Sequence, residues 1–390
     1  MNTMFIALIL TWVYILSHWT GTGIAISPVD CFNNSTLGDL VDCLNDFTVG
    51  PDYYDASSYA EAQPSPEQLD AWTTVITSML SSDSTDCSST VLPISLSSLY
   101  TISPFLDNST ARTFCVLSEI TSLPIGALNY YTKGWGVFVV PTSRKDISRT
   151  IHLSAPHPLY DIDTPQQAAA MFLLSGAHSL LISGRHRIAY RVPTDCITPT
   201  NPNTIYYKTD PAHDINEPFN AANRVIRTWQ NQNQNGGCPL ETCAYLQIHG
   251  KGASLCPTDT IFISSGLGNS NDSVIWYNSQ PNLPSRRLKG YASEIFPNFN
   301  VSLPSDDTAC DLTATTNVFG RLINGVPEQD VCTVAANTLT ASGEFVHIEQ
   351  SIASRDNAAH EGWGQAIRGT FPASCNFGTR EDENTGLCVA

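Results

Sequence analysis

The chain has 390 residues, of which 42% are hydrophobic and 14% charged, and a formal net charge of −17 at pH 7. That acidity argues against a nucleic-acid binder, which usually shows a basic face, and against anionic membrane surfaces; its plain consequence is solubility. The length suits one large domain or two small ones, at ~100–200 residues per domain.

Residues 1–25 carry no Lys, Arg, Asp or Glu, and Met4 to Leu16 is almost wholly apolar. Gly23-Ile24-Ala25 then offers small residues where a signal peptidase reads them. This pattern predicts a cleaved signal peptide over 1–25. The run is shorter than the ~20 apolar residues of a bilayer span, and no later segment is long and apolar enough, so no membrane span is expected in the mature chain. No retention tetrapeptide or lipid-anchor tail is read at the C-terminus. All twelve cysteines follow the signal segment. An even number in an exported chain predicts up to six bridges. The absence of repeated CxxC pairs argues against a zinc ribbon, and Cys375 and Cys388 would close a small C-terminal loop. Five glycosylation sequons start at Asn33, Asn34, Asn108, Asn271 and Asn300, of which the first two overlap.

Residues 26–125 read as an N-terminal cysteine-bridged helical region or a wrap over the main core, and 126–390 as an α/β domain. In the first, Leu69, Trp72, Val75, Ile76 and Leu80 share one face of a helix over 66–80. Ser65 is its N-cap, Pro66 its first residue, and Gln68 completes a capping box. In the second, strands are expected over 136–140, 150–155, 179–183, 244–248, 260–264 and 345–348. Helices are expected over 164–175, capped by Thr164 and closed by Gly176, and over 217–232. Strands alternating with helices predict an α/β fold, three-layered with a mostly parallel or mixed central sheet.

Ligands of open α/β sheets bind beyond the carboxyl ends of the strands, and four expected strands end in residues suited to catalysis or metal binding. The strand over 150–155 runs into Ala155-Pro-His-Pro-Leu-Tyr-Asp161. That over 179–183 runs into Gly184-Arg-His-Arg187, that over 244–248 into His249-Gly250, and that over 345–348 into Glu349-Gln350. His157, Asp161 and His249 together offer the three His/carboxylate ligands of a catalytic zinc site. Zinc lowers the pKa of its water to ~7, and Glu349 is placed to take that water's proton. His186 suits an oxyanion donor. Arg185 or Arg187 could grip a substrate carboxylate bidentately, or both are solvated surface charges. Asp210 and His213 read as partners that orient the ligands, or Asp210 as a turn residue before Pro211. His152 reads as packed within its strand, His347 as structural or as a partner that orients the ligands, and His178 as exposed. His360 begins His-Glu-Gly-Trp, which lacks the second histidine of an HExxH helix.

The run APHPLYD, the later HG at a strand end and the late strand-borne Glu resemble the zinc-exopeptidase type of fold, seen in N-formylglutamate amidohydrolases, phage poly-γ-glutamate hydrolases and zinc carboxypeptidases. SGRHR, TDPAHDINEPFNAAN, TTNVFGRLING and FVHIEQS are also similar to exported proteins without a settled activity. The resemblance covers about residues 150–350. It implies His157, Asp161 and His249 as metal ligands and Glu349 as general base, although carboxypeptidases space the first pair as His-x-x-Glu and this chain has His-x-x-x-Asp. The expectation is a secreted zinc-dependent amide hydrolase acting on a peptide or small molecule. The alternative is a binding or structural glycoprotein on a degenerate hydrolase scaffold. A serine hydrolase is disfavoured by the lack of a GxSxG elbow, and a glycosidase by the lack of an evident acid pair at the strand ends.

Overall fold

Alternate residues of the central strands feed two separate apolar cores, as a sheet covered on both faces requires. A computed structural model describes residues 27–390 apart from 85, 200, 234–236 and 384; the expected signal segment lies outside them. The strands are β1 (Tyr100–Asp107), β2 (Arg112–Glu119), β3 (Ser122–Ile125), β4 (Leu128–Tyr131), β5 (Val137–Pro141), β6 (Thr150–Ala155), β7 (Ser179–Ile182), β8 (Cys243–Gly250), β9 (Ile261–Ser264), β10 (Val301–Ser302), β11 (Phe345–Gln350), β12 (Arg380–Glu381) and β13 (Cys388–Val389). The helices are α1 (Leu37–Asn45), α2 (Ala56–Ala62), α3 (Pro66–Leu80), α4 (Ile94–Ser97), α5 (Thr164–Ser175), α6 (Pro218–Asn233), α7 (Asn271–Ser279), α8 (Pro284–Ile295), α9 (Val318–Ile323) and α10 (His360–Thr370).

Nine strands form one mixed sheet in the order β1-β2-β5-β7-β6-β8-β11-β9-β10. Its centre, β7-β6-β8-β11, is parallel, so four carboxyl ends share one edge. β5, β2 and β1 extend one side antiparallel, and β9 runs antiparallel to β11 on the other. Val116, Val139, Leu180, Leu246 and Ile348 pack beneath α1, α5, α8 and α10. Their neighbours Leu117, Phe138, Leu181, Tyr245 and Phe345 pack beneath α3, α6 and α9. The architecture is therefore the three-layer α/β arrangement expected.

Local signals account for the elements. Ser65 accepts from the Gln68 amide and Gln68 returns the bond, with Pro66 in the first turn of α3. Gly176 ends α5 at φ 63°, a left-handed conformation that glycine adopts without penalty. Thr164 is a difference: it is the first residue of α5 rather than its cap, and its hydroxyl donates to the Asp161 carbonyl at 2.7 Å. Another is that the region over 26–125 is not wholly helical, since β1 and β2 within it form the antiparallel edge of the main sheet. Phe114-Cys-Val-Leu117 is apolar throughout because both of its faces are covered, while Pro104 is tolerated because β1 is an edge strand. All twelve cysteines pair, as Cys31–Cys43, Cys87–Cys115, Cys196–Cys332, Cys238–Cys243, Cys256–Cys310 and Cys375–Cys388. Asn33, Asn108, Asn271 and Asn300 are exposed, and Asn34 is half-buried. Among the described residues no helix is long and apolar enough to cross a membrane.

Glu119 ends β2 fully buried. It accepts from the amides of Lys133 and Gly134, both at 2.7 Å, and from Thr121 Oγ1 at 2.8 Å. Burial outweighs these bonds and pushes its pKa up from 4.5 to about 7. A raised folded pKa gives a contribution to stability that is complete below the unfolded value and is lost as pH rises through the folded one. Glu119 should therefore lower stability by up to ~1.4 kcal/mol per pH unit between about pH 4.5 and 7. Across that window the slope of the urea-unfolding free energy against pH should be more positive in Glu119→Gln than in the wild type; equal slopes would contradict the assignment.

Candidate metal centre

The loop after β6 is curled so that two side chains four residues apart face the same way. The His157 carbonyl accepts the amides of Tyr160 (3.3 Å) and Asp161 (2.9 Å), and Leu159 (φ 62°) and Asp163 (φ 69°) take left-handed conformations. Thr164, at the head of α5, fixes the Asp161 carbonyl through both its amide and its hydroxyl. His249 arrives from β8, and in the parallel register its partner on β11 is Glu349, as Gln247 is the partner of His347. Side chains of a strand alternate, so Gln247, His249, His347 and Glu349 all project from the face that Tyr245 and Phe345 share with α3, α6 and α9. Gly250, behind His249, leaves room for the Arg355 guanidinium, which a Cβ there would displace. Arg355 in turn bonds the Ile162 carbonyl and so ties the ligand loop to the end of β11.

His157, Asp161 and His249 converge, all buried, with their ligand atoms within 4.8 Å of one another. Asp161 Oδ2 lies 3.1 Å from His157 Nδ1 and 3.3 Å from His249 Nδ1. His157 Nε2 meets Asp210 Oδ1 at 2.9 Å, and His249 Nε2 meets Gln247 Oε1 at 2.9 Å. Both Nε2 atoms face oxygens, and the two Nδ1 atoms and a carboxylate oxygen converge on one small space. A proton on His157 Nδ1 relieves one of these contacts; a divalent cation relieves both. The residues thus fit a metal ion, two imidazoles and a carboxylate being a catalytic zinc set.

The electrostatics follow from burial and neighbours. Burial and Arg187 push the His157 pKa down, but Asp210 and Asp161 outweigh them and hold it above its ordinary value. Burial would raise Asp161, yet His157 and His249 hold it well below the usual carboxylate range. Burial pushes His249 down to about 4. Glu349 forms a second group with His249 and His347; its Oε1 is 3.5 Å from His347 Nε2. Burial and the charge of Asp161 push Glu349 up to about 8.

The other expected site residues separate into those that reach this cluster and those that do not. Asp210, fully buried, is a hub. It accepts from His157, from the Ala212 amide at 3.2 Å and from Arg187 Nη2, and His213 Nδ1 lies 3.0 Å away, off the line of a hydrogen bond. His213 stacks on Tyr206 with ring centroids 3.6 Å apart and touches the ligands only through Asp210. Arg187 is 19% exposed and lies over the Tyr160 ring, at the cluster's edge. His186 Nδ1 accepts the Ile188 amide at 3.1 Å, so its Nε2 carries the proton; burial and His157 lower its pKa to about 4 and keep it neutral.

Arg185 is neither at the cluster nor a solvated charge. Fully buried, it donates to Glu217 Oε1 (2.8 Å) and to the carbonyls of Lys133 and Ala62 (both 2.9 Å), against the Tyr54 and Tyr59 rings. Its donors join α2 and the loop before β5 to the end of β7 and leave no bidentate grip for a substrate. His178 is also buried rather than exposed, with Nε2 bonded to the Leu80 carbonyl. His152 packs between Ser179 and Gln230, and His360 bonds the Arg355 carbonyl at the start of α10. Sequence reasoning passed over Gln247, Asn317 and Arg355. The parity of Gln247 with His249 along β8 was the one available signal.

No protein-family model matches the chain, and no curated protein matches it. A solved structure from Shewanella denitrificans, named a putative metallopeptidase, is similar to the chain at 9% identity and a TM-score of 0.28, covering 64% of this chain and 82% of that one. At that TM-score the likeness bears no weight, and the centre stands on its own geometry.

The two arginines should separate experimentally. Arg185→Met strands Glu217 in the core and should cost about 3–5 kcal/mol in urea unfolding, the range for breaking a buried ion pair. Arg187→Met should cost less, because Arg187 is partly solvated and Asp210 keeps its other partners. The reverse order would contradict this division.

Proposed function

We propose that the protein is a secreted, zinc-dependent amide hydrolase of the amidohydrolase or carboxypeptidase type, acting on an amide near a carboxylate. The observation that carries the reading is the convergence of two imidazole Nδ1 atoms and one carboxylate oxygen at the carboxyl ends of parallel strands, with a second carboxylate, Glu349, beside them. His157, Asp161 and His249 would hold the ion. When bound, it would supply Lewis acidity and lower the pKa of a water to ~7.

The remaining roles belong to the chain. Glu349 takes a proton from the attacking water and returns it to the leaving nitrogen. Its raised pKa reflects burial and Asp161, and a nearby cation acts in the opposite sense. His186, neutral with Nε2 protonated, donates to the oxyanion that develops on the amide. Arg187, held by Asp210 and partly open to solvent, binds the substrate carboxylate. Asp210 keeps the proton on His157 Nε2, which leaves Nδ1 to face the ion. Six disulfides suit an oxidising compartment; together with the expected signal segment and sequons they support export and glycosylation.

Metal content and hydrolysis of acyl-amino acids and peptides test this reading. The wild type should bind about one zinc per chain, and His157→Ala and His249→Ala should lose it. Glu349→Gln should keep the zinc and lose a factor of ~10²–10⁴ in rate. A folded wild type that takes up no zinc would contradict the proposal and favour the non-catalytic glycoprotein.

A further inference from the structure

A remote backbone amide determines which ring nitrogen of His249 carries its proton. Asn317 is the N-cap of α9, and its Oδ1 accepts the Gly320 amide at 2.9 Å. A backbone N–H can only donate, so this contact identifies the Asn317 oxygen. The Asn317 Nδ2 must then be the atom that points at Gln247, 2.5 Å from its Oε1. With a donor facing it, Gln247 cannot turn its own amide nitrogen that way. The same Oε1 faces His249 Nε2 at 2.9 Å, so Nε2 must hold the proton and Nδ1 is left bare, 3.3 Å from Asp161 Oδ2. Gln247 and Asn317 are both nearly solvent-free. The arrangement carries a visible cost: Gln247 Nε2 is buried without a partner, and a buried donor left unpaired is destabilising. Turning the amide over would place that nitrogen against Asn317 Nδ2, donor to donor, so the capped asparagine locks the costly orientation in place.

We infer that Asn317 and Gln247 are positioning residues that hold His249 as its Nε2–H tautomer and thereby prepare Nδ1 as a metal ligand before any ion arrives. The inference rests on the metal reading of the cluster for its purpose, but not for its test. Asn317→Asp decides it at nearly constant shape. Aspartate caps a helix as well as asparagine does, so α9 is retained. One oxygen still accepts from Gly320, while the other now presents an acceptor to Gln247. Gln247 then turns its amino group toward both neighbours, His249 Nε2 must accept, and the proton moves to Nδ1. Gln247→Glu is the opposite control, since it keeps an acceptor oxygen against both Asn317 and His249.

The experiment is a long-range ¹H–¹⁵N correlation of the histidine rings in the full-length protein without metal at pH 8, followed by zinc titration of the same samples. The expected result is an Nε2–H tautomer for His249 in the wild type and in Gln247→Glu. In Asn317→Asp an Nδ1–H tautomer should appear, with zinc affinity about 10- to 100-fold weaker, the usual effect of losing such a partner. A residue serving only as a helix cap would leave both readouts unchanged in Asn317→Asp, and that result overturns the inference, as does an Nδ1–H tautomer in the wild type. If no variant takes up zinc, the metal reading fails while the ring spectra still decide the tautomer.

Discussion

The parallel pairing of β8 with β11 is the constraint from which the candidate centre follows. Its register sets His249 beside Glu349 and Gln247 beside His347. A one-residue slip would exchange this polar set for Leu246, Ile248, Val346 and Ile348, which fill the opposite core. The apolar residues of the two strands therefore enforce the register, and the polar ones ride on it. β6 lies on the other side of β8, so the loop that leaves it delivers His157 and Asp161 to the same edge.

Gathering so many ionisable groups out of water demands that each have a partner. Asp210 shows how the chain meets this demand: one fully buried carboxylate serves His157, Arg187 and a backbone amide. Each of the two candidate histidine ligands is backed by a different kind of oxygen. Behind His157 stands a carboxylate, which favours its charged form, and behind His249 a neutral amide, which does not. Burial consequently leaves His249 neutral while His157 keeps a strong hold on a proton. Were a metal bound at this centre, the asymmetry would make proton release fall chiefly to His157.

Much of this was legible in the sequence where a residue carries its chemistry in its type and its position in its neighbours. Ser65-Pro66 and Gly176 announced helix ends because capping is local. His157 and His249 stood out because each closes an apolar run, and strand ends are where α/β sheets expose groups. Long-range pairing was not legible. Arg185 and Arg187 look equivalent in the sequence, and only Glu217, 32 residues on, draws one into the core. Gln247 means nothing as a lone amide until Asn317, 70 residues on, is set against it. Thr164, next to Pro165, looks like a cap, whereas its hydroxyl holds the Asp161 carbonyl in the loop after β6. β1 was hidden by its Ser and Pro residues, tolerable because it lies at the sheet edge.

The central claim is that His157, Asp161 and His249 form one metal-binding unit, and X-ray absorption spectroscopy of the zinc-loaded protein tests it most directly. The account predicts a four-coordinate zinc with two imidazole nitrogens at about 2.0–2.1 Å and oxygen donors at about 2.0–2.2 Å. An absorption edge and scattering pattern showing sulfur ligands, or oxygen donors without imidazole, would place the ion elsewhere and contradict the account.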